Sequence, residues 1–173
     1  MSQYPPLEVF DENDEVVGQA SLDDIFRQAL IHRISMILVR EPGGKILLQR
    51  RGPNVATNPD KWDISAAGYV DASESYSDSA IRELHEELGI DKADLTEAAY
   101  YFSDRILDGK HLRRFIKIYV TTLPIDTEFS LEPEEVTEVR WFDIDELAER
   151  FRQHPEEFND DLAVSLGKLN IKI

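Results

Sequence analysis

The sequence predicts an α/β protein, an α/β/α sandwich around a mixed β-sheet. Two observations carry this. Segments with strand and helix periodicity are interleaved without strict βα alternation, which disfavours a doubly wound parallel sheet. In addition, 173 residues with 42% hydrophobic and 31% charged side chains suffice for one core and leave little room for a second. A single domain over residues 1–173 is therefore expected.

Leu7–Phe10 and residues 15–19 read as short strands around a polar turn at 11–14. Ser21 with Asp24 three residues on offers an N-cap for a short helix reaching about Leu30, so residues 1–30 form a hairpin and a helix. Residues 34–40 are β-branched and apolar, Glu41-Pro-Gly-Gly44 is a turn, and residues 45–50 are the expected hairpin partner. Residues 52–61, with two prolines and two asparagines, form a loop, and 62–67 a strand leading into Gly68. The clearest helix starts at Ser75, capped with Asp78. Ala80, Ile81, Leu84 and Leu88 recur at helical spacing before Gly89 stops it. Strands follow at 100–103 and 115–122, joined by a charged loop around Asp108-Gly-Lys, then at Val136–Phe142. Residues 144–151 form a helix and 155–169 a last one with its polar face outward.

Charge narrows the function. The chain carries 35 acids against 19 bases, a formal net charge of −16, and no cysteine. Disulfides, thiolate metal sites and a cysteine nucleophile are excluded. Sequence-independent nucleic-acid binding needs a basic surface, so no nucleic-acid partner is expected. Met1-Ser-Gln-Tyr-Pro-Pro shows no basic region followed by an apolar core, and no apolar run approaches 18 residues. A cytoplasmic protein with no membrane partner is the expectation. The acid concentrates at the two ends, residues 1–30 and 123–173, while 31–122 is nearly neutral. Chemistry on an anionic substrate is to be sought in that middle.

There, Gly68 and Glu74 enclose five residues, seven more lead to Arg82, and the run continues Glu83-Leu84-His85-Glu86-Glu87-Leu88-Gly89-Ile90. At 100° per residue, Glu83, Glu86 and Glu87 fall within an arc of about 100° beside the Ile81/Leu84/Leu88 stripe. Three carboxylates on adjacent turns repel unless a cation sits among them. Hard oxygen donors suit Mg²⁺ or Mn²⁺. The plainer alternative, a solvated acidic helix face, does not account for Gly68, Glu74, Arg82 and Gly89 in register.

The segment 68–90 resembles the Nudix box, G-x5-E-x7-R-E-U-x-E-E-x-G-U with U aliphatic, at all nine specified positions. A chance match is on the order of one in a billion per starting position. The resemblance implies a Nudix-type sandwich and a Mg²⁺-dependent hydrolase, Mn²⁺ being an alternative, that cleaves a phosphoanhydride bond in a small-molecule diphosphate substrate. It implies Glu83, Glu86, Glu87 and the Gly68 carbonyl as metal ligands, with Glu74, Arg82 and Gly89 as structural parts of the motif. The carboxylates take the catalytic role, with a base from the box or a later loop. Glu134, Glu135 and Glu138 are the later candidates, of which Glu135 is chosen. Arg51 and Arg114 are the expected phosphate contacts. Tyr69, Tyr101 and Phe102 are aromatics suited to stacking on a base, with Tyr69 chosen.

Residues outside the box, among them Glu8-Val-Phe-Asp-Glu, His32-Arg33, Leu47-Leu-Gln-Arg-Arg51, Trp62 and Glu135–Trp141, are similar to isopentenyl-diphosphate isomerases and their hydrolase-like relatives. Yet Ala67 stands where the isomerase cysteine is expected, Tyr69 where a histidine is, and Leu112 and Arg114 where two glutamates are. His32 alone remains of that metal site. Hydrolysis of a nucleoside di- or triphosphate, or of a nucleoside diphosphate linked to another group, is the leading expectation. Isomerisation and non-catalytic nucleotide binding are the alternatives. Oligomeric state is open, a homodimer among the options.

Overall fold

The computed structural model describes residues 5–107 and 109–173; residues 1–4 and Asp108, which the sequence reading includes in the chain's opening and in a charged loop, lie outside the described residues. β1 (Leu7–Phe10) and β2 (Val16–Ala20) form an antiparallel hairpin, followed by α1 (Leu22–Gln28). Ser21 caps α1 by accepting the Asp24 N–H, as its spacing predicts.

The main sheet is mixed. β3 (His32–Arg40) lies parallel to β8 (Lys110–Thr122), which pairs antiparallel with the edge strand β7 (Thr96–Leu107). Its other side is shared. β6 (Ala66–Tyr69) pairs with Ile34–Ile37, whereas β4 (Ile46–Arg51) meets β3 only at Arg40↔Ile46. β4 then pairs with β9 (Val136–Phe142) and with β5 (Trp62–Asp63).

The expected β3–β4 hairpin is thus correct only at its turn. The two strands fork, and the buried Ser65 hydroxyl fills the fork, accepting the Val39 N–H at 2.8 Å and donating to the Leu47 carbonyl at 2.6 Å. This also splits the single strand expected over 62–67, because Ile64 and Ser65 sit at the crossing. β7 and β8 are longer than expected; polar residues between their apolar stretches pair across the ribbon, Asp104 with Arg113 among them.

Alternation along β3 defines the layers. Ile34, Met36 and Leu38 face a core shared with Ile116, Ile118, Phe142, Leu147 and Leu166. That face is covered by α3 (Ile144–Gln153), a 3-10 turn (Pro155–Glu157) and α4 (Leu162–Lys168). The helix expected over 155–169 is therefore two pieces, broken at 158–161, where the Phe158 side chain is buried and Asp161 turns inward. Ile37, Val39, Leu47 and Ala66 face the second core, closed by α2 (Tyr76–Leu88) through Ala80, Leu84 and Leu88. Ile81 is only half-buried, so Ala80 rather than Ile81 completes the apolar stripe. Among the described residues no helix is long and apolar enough to cross a membrane.

Candidate active site

The site is built on α2 and on the loop between it and β6. Ser75 caps α2 by accepting the Asp78 N–H. At the other end Gly89 takes the left-handed conformation with φ 71°, where its N–H reaches the His85 carbonyl. A Cβ at Gly89 would also come within 2.7 Å of the Ser130 Cβ, so glycine is needed on two counts. The Ser130 N–H in turn donates to the Leu88 carbonyl at 3.0 Å, seating residues 130–135 against the helix end.

Arg82 ties the loop to the helix. Its Nε and Nη2 donate to the two Glu74 carboxylate oxygens at 3.0 and 2.9 Å, a bidentate fork, and Nη2 also reaches the Tyr69 carbonyl at 2.9 Å. Its remaining nitrogen, Nη1, donates to Glu83 at 2.6 Å and Glu86 at 3.0 Å.

The three box glutamates are unequal. Glu86 is half-exposed, whereas Glu83 and Glu87 are buried. Glu87 accepts from the Ala67 N–H at 3.0 Å and from Gln49 Nε2 at 3.1 Å. Burial raises its pKa well above the carboxylate range, and Glu83 adds to this. Glu83 is pushed up to about 7, again by burial first, against the opposing pull of Arg82. A Cβ at Gly68 would overlap the Glu83 carboxylate, so that carboxylate lies directly on the backbone of β6.

These groups line a cleft of about 970 Å³. Its lining carries Glu83, Glu86 and Glu87, with Glu132, Glu134 and Glu135 from the segment after Ser130. Leu22, Tyr69 and residues 54–57 add an uncharged share, and Arg51 and Arg82 are the lining arginines. Arg51 donates to the Thr57 carbonyl at 3.1 Å and to Asp63 at 3.3 Å. Beside it the Gly52 N–H donates to the Glu135 carbonyl at 2.7 Å, and a Cβ at Gly52 would overlap the Glu134 carbonyl.

The NUDIX domain family model matches residues 30–162. The chain belongs to the Nudix family. It is 34% identical over 162 residues to an uncharacterized Nudix hydrolase of Yersinia pestis, covering 93% of this chain and 83% of that one. The Nudix hydrolase YfcD of Escherichia coli is likewise 34% identical, over 93% of this chain and 84% of its own length. A crystal structure from Deinococcus radiodurans superposes with a TM-score of 0.79 at 24% identity, covering 95% of this chain and 99% of that one, which supports the sandwich fold. The protein is a Nudix hydrolase, and its relatives carry that name.

Nudix hydrolases generally use divalent metal ions. Among the described residues no three carboxylate or imidazole side chains converge as a ready-made ligand set. Arg82 Nη1 instead bridges Glu83 and Glu86. The residues nonetheless fit the ion in kind. They are hard oxygen donors, and two of them are buried, which raises both pKa values, with Glu83 adding to the rise at Glu87; a cation offsets the burial and the repulsion alike.

Of the other residues singled out in the sequence, Glu135 and Glu134 reach the Nudix cleft, as do Arg51 and Tyr69; Glu138 is in β9 opposite Arg50. Arg114 does not reach it. Its side chain is buried on the α4 side of the sheet, paired with Asp161 at 2.5 Å, and Arg105 binds the other Asp161 oxygen at 2.5 Å. The expectation for Arg114 rests on its isomerase counterpart facing the active site; here Asp161, buried at the start of α4, pairs with it instead. Tyr101 likewise faces α4, its hydroxyl 3.2 Å from Ser165, and Phe102 packs against Phe115. The residues that sequence reasoning missed are Gln49, which holds Glu87, and the uncharged lining at 54–57. Gln49 lies within the Leu47–Arg51 run and was visible there only as part of a resemblance.

Proposed function

We propose that this Nudix hydrolase cleaves a phosphoanhydride bond of a nucleoside diphosphate-type substrate: a nucleoside di- or triphosphate, or a nucleoside diphosphate linked to another group. The observation that carries the reading is the pair of buried carboxylates, Glu83 and Glu87, in a cleft lined by six glutamates, two arginines and an uncharged share at Leu22, Tyr69 and residues 54–57. Mg²⁺, or Mn²⁺, would be held by Glu83, Glu86, Glu87 and the Gly68 carbonyl. Such an ion supplies Lewis acidity toward phosphoryl oxygens and charge balance among the carboxylates.

The chain's own groups do the rest. A Glu135 carboxylate oxygen accepts the proton of the attacking water; the coupling of Glu135 to both Glu83 and Glu87 supports its nearness to the reacting centre. Arg51 faces the phosphate, and the Tyr69 ring and the uncharged lining receive the base or the linked group. We also read the N-terminal hairpin and α1 as part of one domain over 1–173, supported by the place of Leu22 in the cleft wall.

The test is product analysis on a panel of nucleoside di- and triphosphates and nucleotide-linked diphosphates with Mg²⁺. Glu87→Gln keeps the shape and removes the charge, so turnover should fall at least about a hundredfold. Unchanged turnover in this variant would reject the ligand assignment. Failure to cleave any diphosphate on the panel would reject the substrate class.

A further inference from the structure

A second cavity, of about 610 Å³, lies at the far end of β3 and shares no lining residue with the catalytic cleft. It is bounded by Arg40, Asp94, Thr96, Thr122, Lys168 and Asn170; Asp94 is exposed. Arg40, Thr122 and Val120 alternate with the α2-facing residues, so the cavity opens on the α3/α4 face, opposite the box.

Two features of its cations stand out. The Arg40 Nε is sealed from solvent and has no hydrogen-bond partner among the described residues. A buried guanidinium N–H without an acceptor is costly, so the Arg40 guanidinium as a whole is short of acceptors. An acceptor arriving in the cavity meets its outer nitrogens rather than the sealed Nε. Moreover, neither Arg40 nor Lys168 has a carboxylate within ion-pairing distance among the described residues, in a chain with 35 acids against 19 bases. Lys168 packs its ammonium over the Tyr101 ring at 4.9 Å instead. Two cations line one open cavity, with threonine hydroxyls and an asparagine amide beside them that can donate as well as accept, and Asp94 is the one carboxylate in the lining.

From this geometry we infer a second binding site, for a phosphate-bearing anion, at Arg40 and Lys168. The guanidinium fork matches phosphoryl oxygens and the ammonium adds charge. The catalytic cleft sets six glutamates against Arg51 and Arg82 in its lining, an acidic balance that disfavours a free phosphate in the absence of metal, so the two sites are separable by chemistry.

The experiment is a titration of the metal-free full chain, ¹⁵N-labelled at arginine, with inorganic phosphate in EDTA, following the arginine Nε–Hε signals. Arg40→Lys assigns the Arg40 signal by its loss. Phosphate up to about 10 mM, a decade above a weak 1 mM site, should shift that signal saturably. Lys168→Gln, an exposed change on α4, should weaken binding at least about tenfold, with thermal denaturation confirming the fold and diphosphate hydrolysis unaltered. A nucleoside monophosphate forms a second arm. Equal affinity assigns the site to the bare phosphoryl group, and tighter binding assigns it to an organic phosphomonoester. An unmoved Arg40 signal, a shift reproduced by sodium chloride at equal ionic strength, or a response at Arg51 instead would each overturn the inference.

Discussion

At the scale of single residues, the site depends on places where a side chain is missing. Gly68 leaves the Glu83 carboxylate resting on β6, where a Cβ would overlap it. Gly68→Ala must therefore displace a buried carboxylate that is held from the other side by Arg82. Its kcat should fall at least about tenfold, since displacements of about 1 Å at a catalytic group cost that much or more. Stability should fall by about 1–3 kcal/mol from overpacking. Steady-state kinetics beside urea denaturation separates the two effects, and wild-type kcat would contradict the close approach. The box glycines and glutamates were legible in the sequence because their spacing is fixed by one helix and one loop. Gln49 was not, because its contact with Glu87 spans 38 residues and depends on how β4 forks from β3.

At the scale of elements, helix caps and turns followed local rules, and strand pairing did not. Ser21, Ser75 and Gly89 act within four residues of themselves, so sequence sufficed. The fork at Ser65, the split of β5 from β6 and the inward turn of Asp161 are settled by contacts between distant segments. Asp161 gives this a measurable form. It anchors the start of α4 to β8 through Arg114 and to β7 through Arg105. Arg114→Met removes half of a buried ion-pair network, so it should cost about 2–4 kcal/mol in stability. Its kcat/KM on a diphosphate substrate should stay within about twofold, because Arg114 lines no part of the cleft. A large loss of kcat/KM at unchanged stability would restore Arg114 as a substrate contact.

For the molecule as a whole, one buried imidazole should leave a signature in the pH dependence of folding. His32 is almost fully buried; its Nδ1 is 3.1 Å from the Leu30 carbonyl. Burial lowers its pKa from 6.5 to about 4, and the nearby Arg114 charge adds to the shift. The folded state thus binds fewer protons than the unfolded state between these values. Stability from this group is fully present above pH 6.5 and is lost as pH falls through about 4, a contribution of about 3 kcal/mol. In EDTA, the loss of stability from pH 6.5 to 4 should be smaller by roughly that amount in His32→Gln than in wild type. Equal pH slopes for the two proteins would contradict the burial of a neutral His32. The layer order was also legible at this scale, since helix and strand periodicity sort apolar residues onto faces before any pairing is known. The sequence placed the acid at both ends as solvated surface. Part of the C-terminal share, Glu132, Glu134 and Glu135, lines the cleft, with Glu132 and Glu134 remaining exposed as expected and Glu135 half-buried.

Gly52 carries a consequence for how such a cleft can diversify. The strand bearing Arg51 and the segment bearing Glu134 and Glu135 touch there backbone to backbone, through the Gly52 N–H and the Glu135 carbonyl. Most pocket corners are spaced by side chains, and exchanging a residue widens or narrows them. This corner has no such spacer, so its width behaves as a constant of the scaffold. Variation in what the cleft accepts is thereby channelled to lining residues whose side chains do the spacing, residues 54–57 and Leu22. An engineer seeking a new leaving group should randomise those residues and leave the glycine corner untouched.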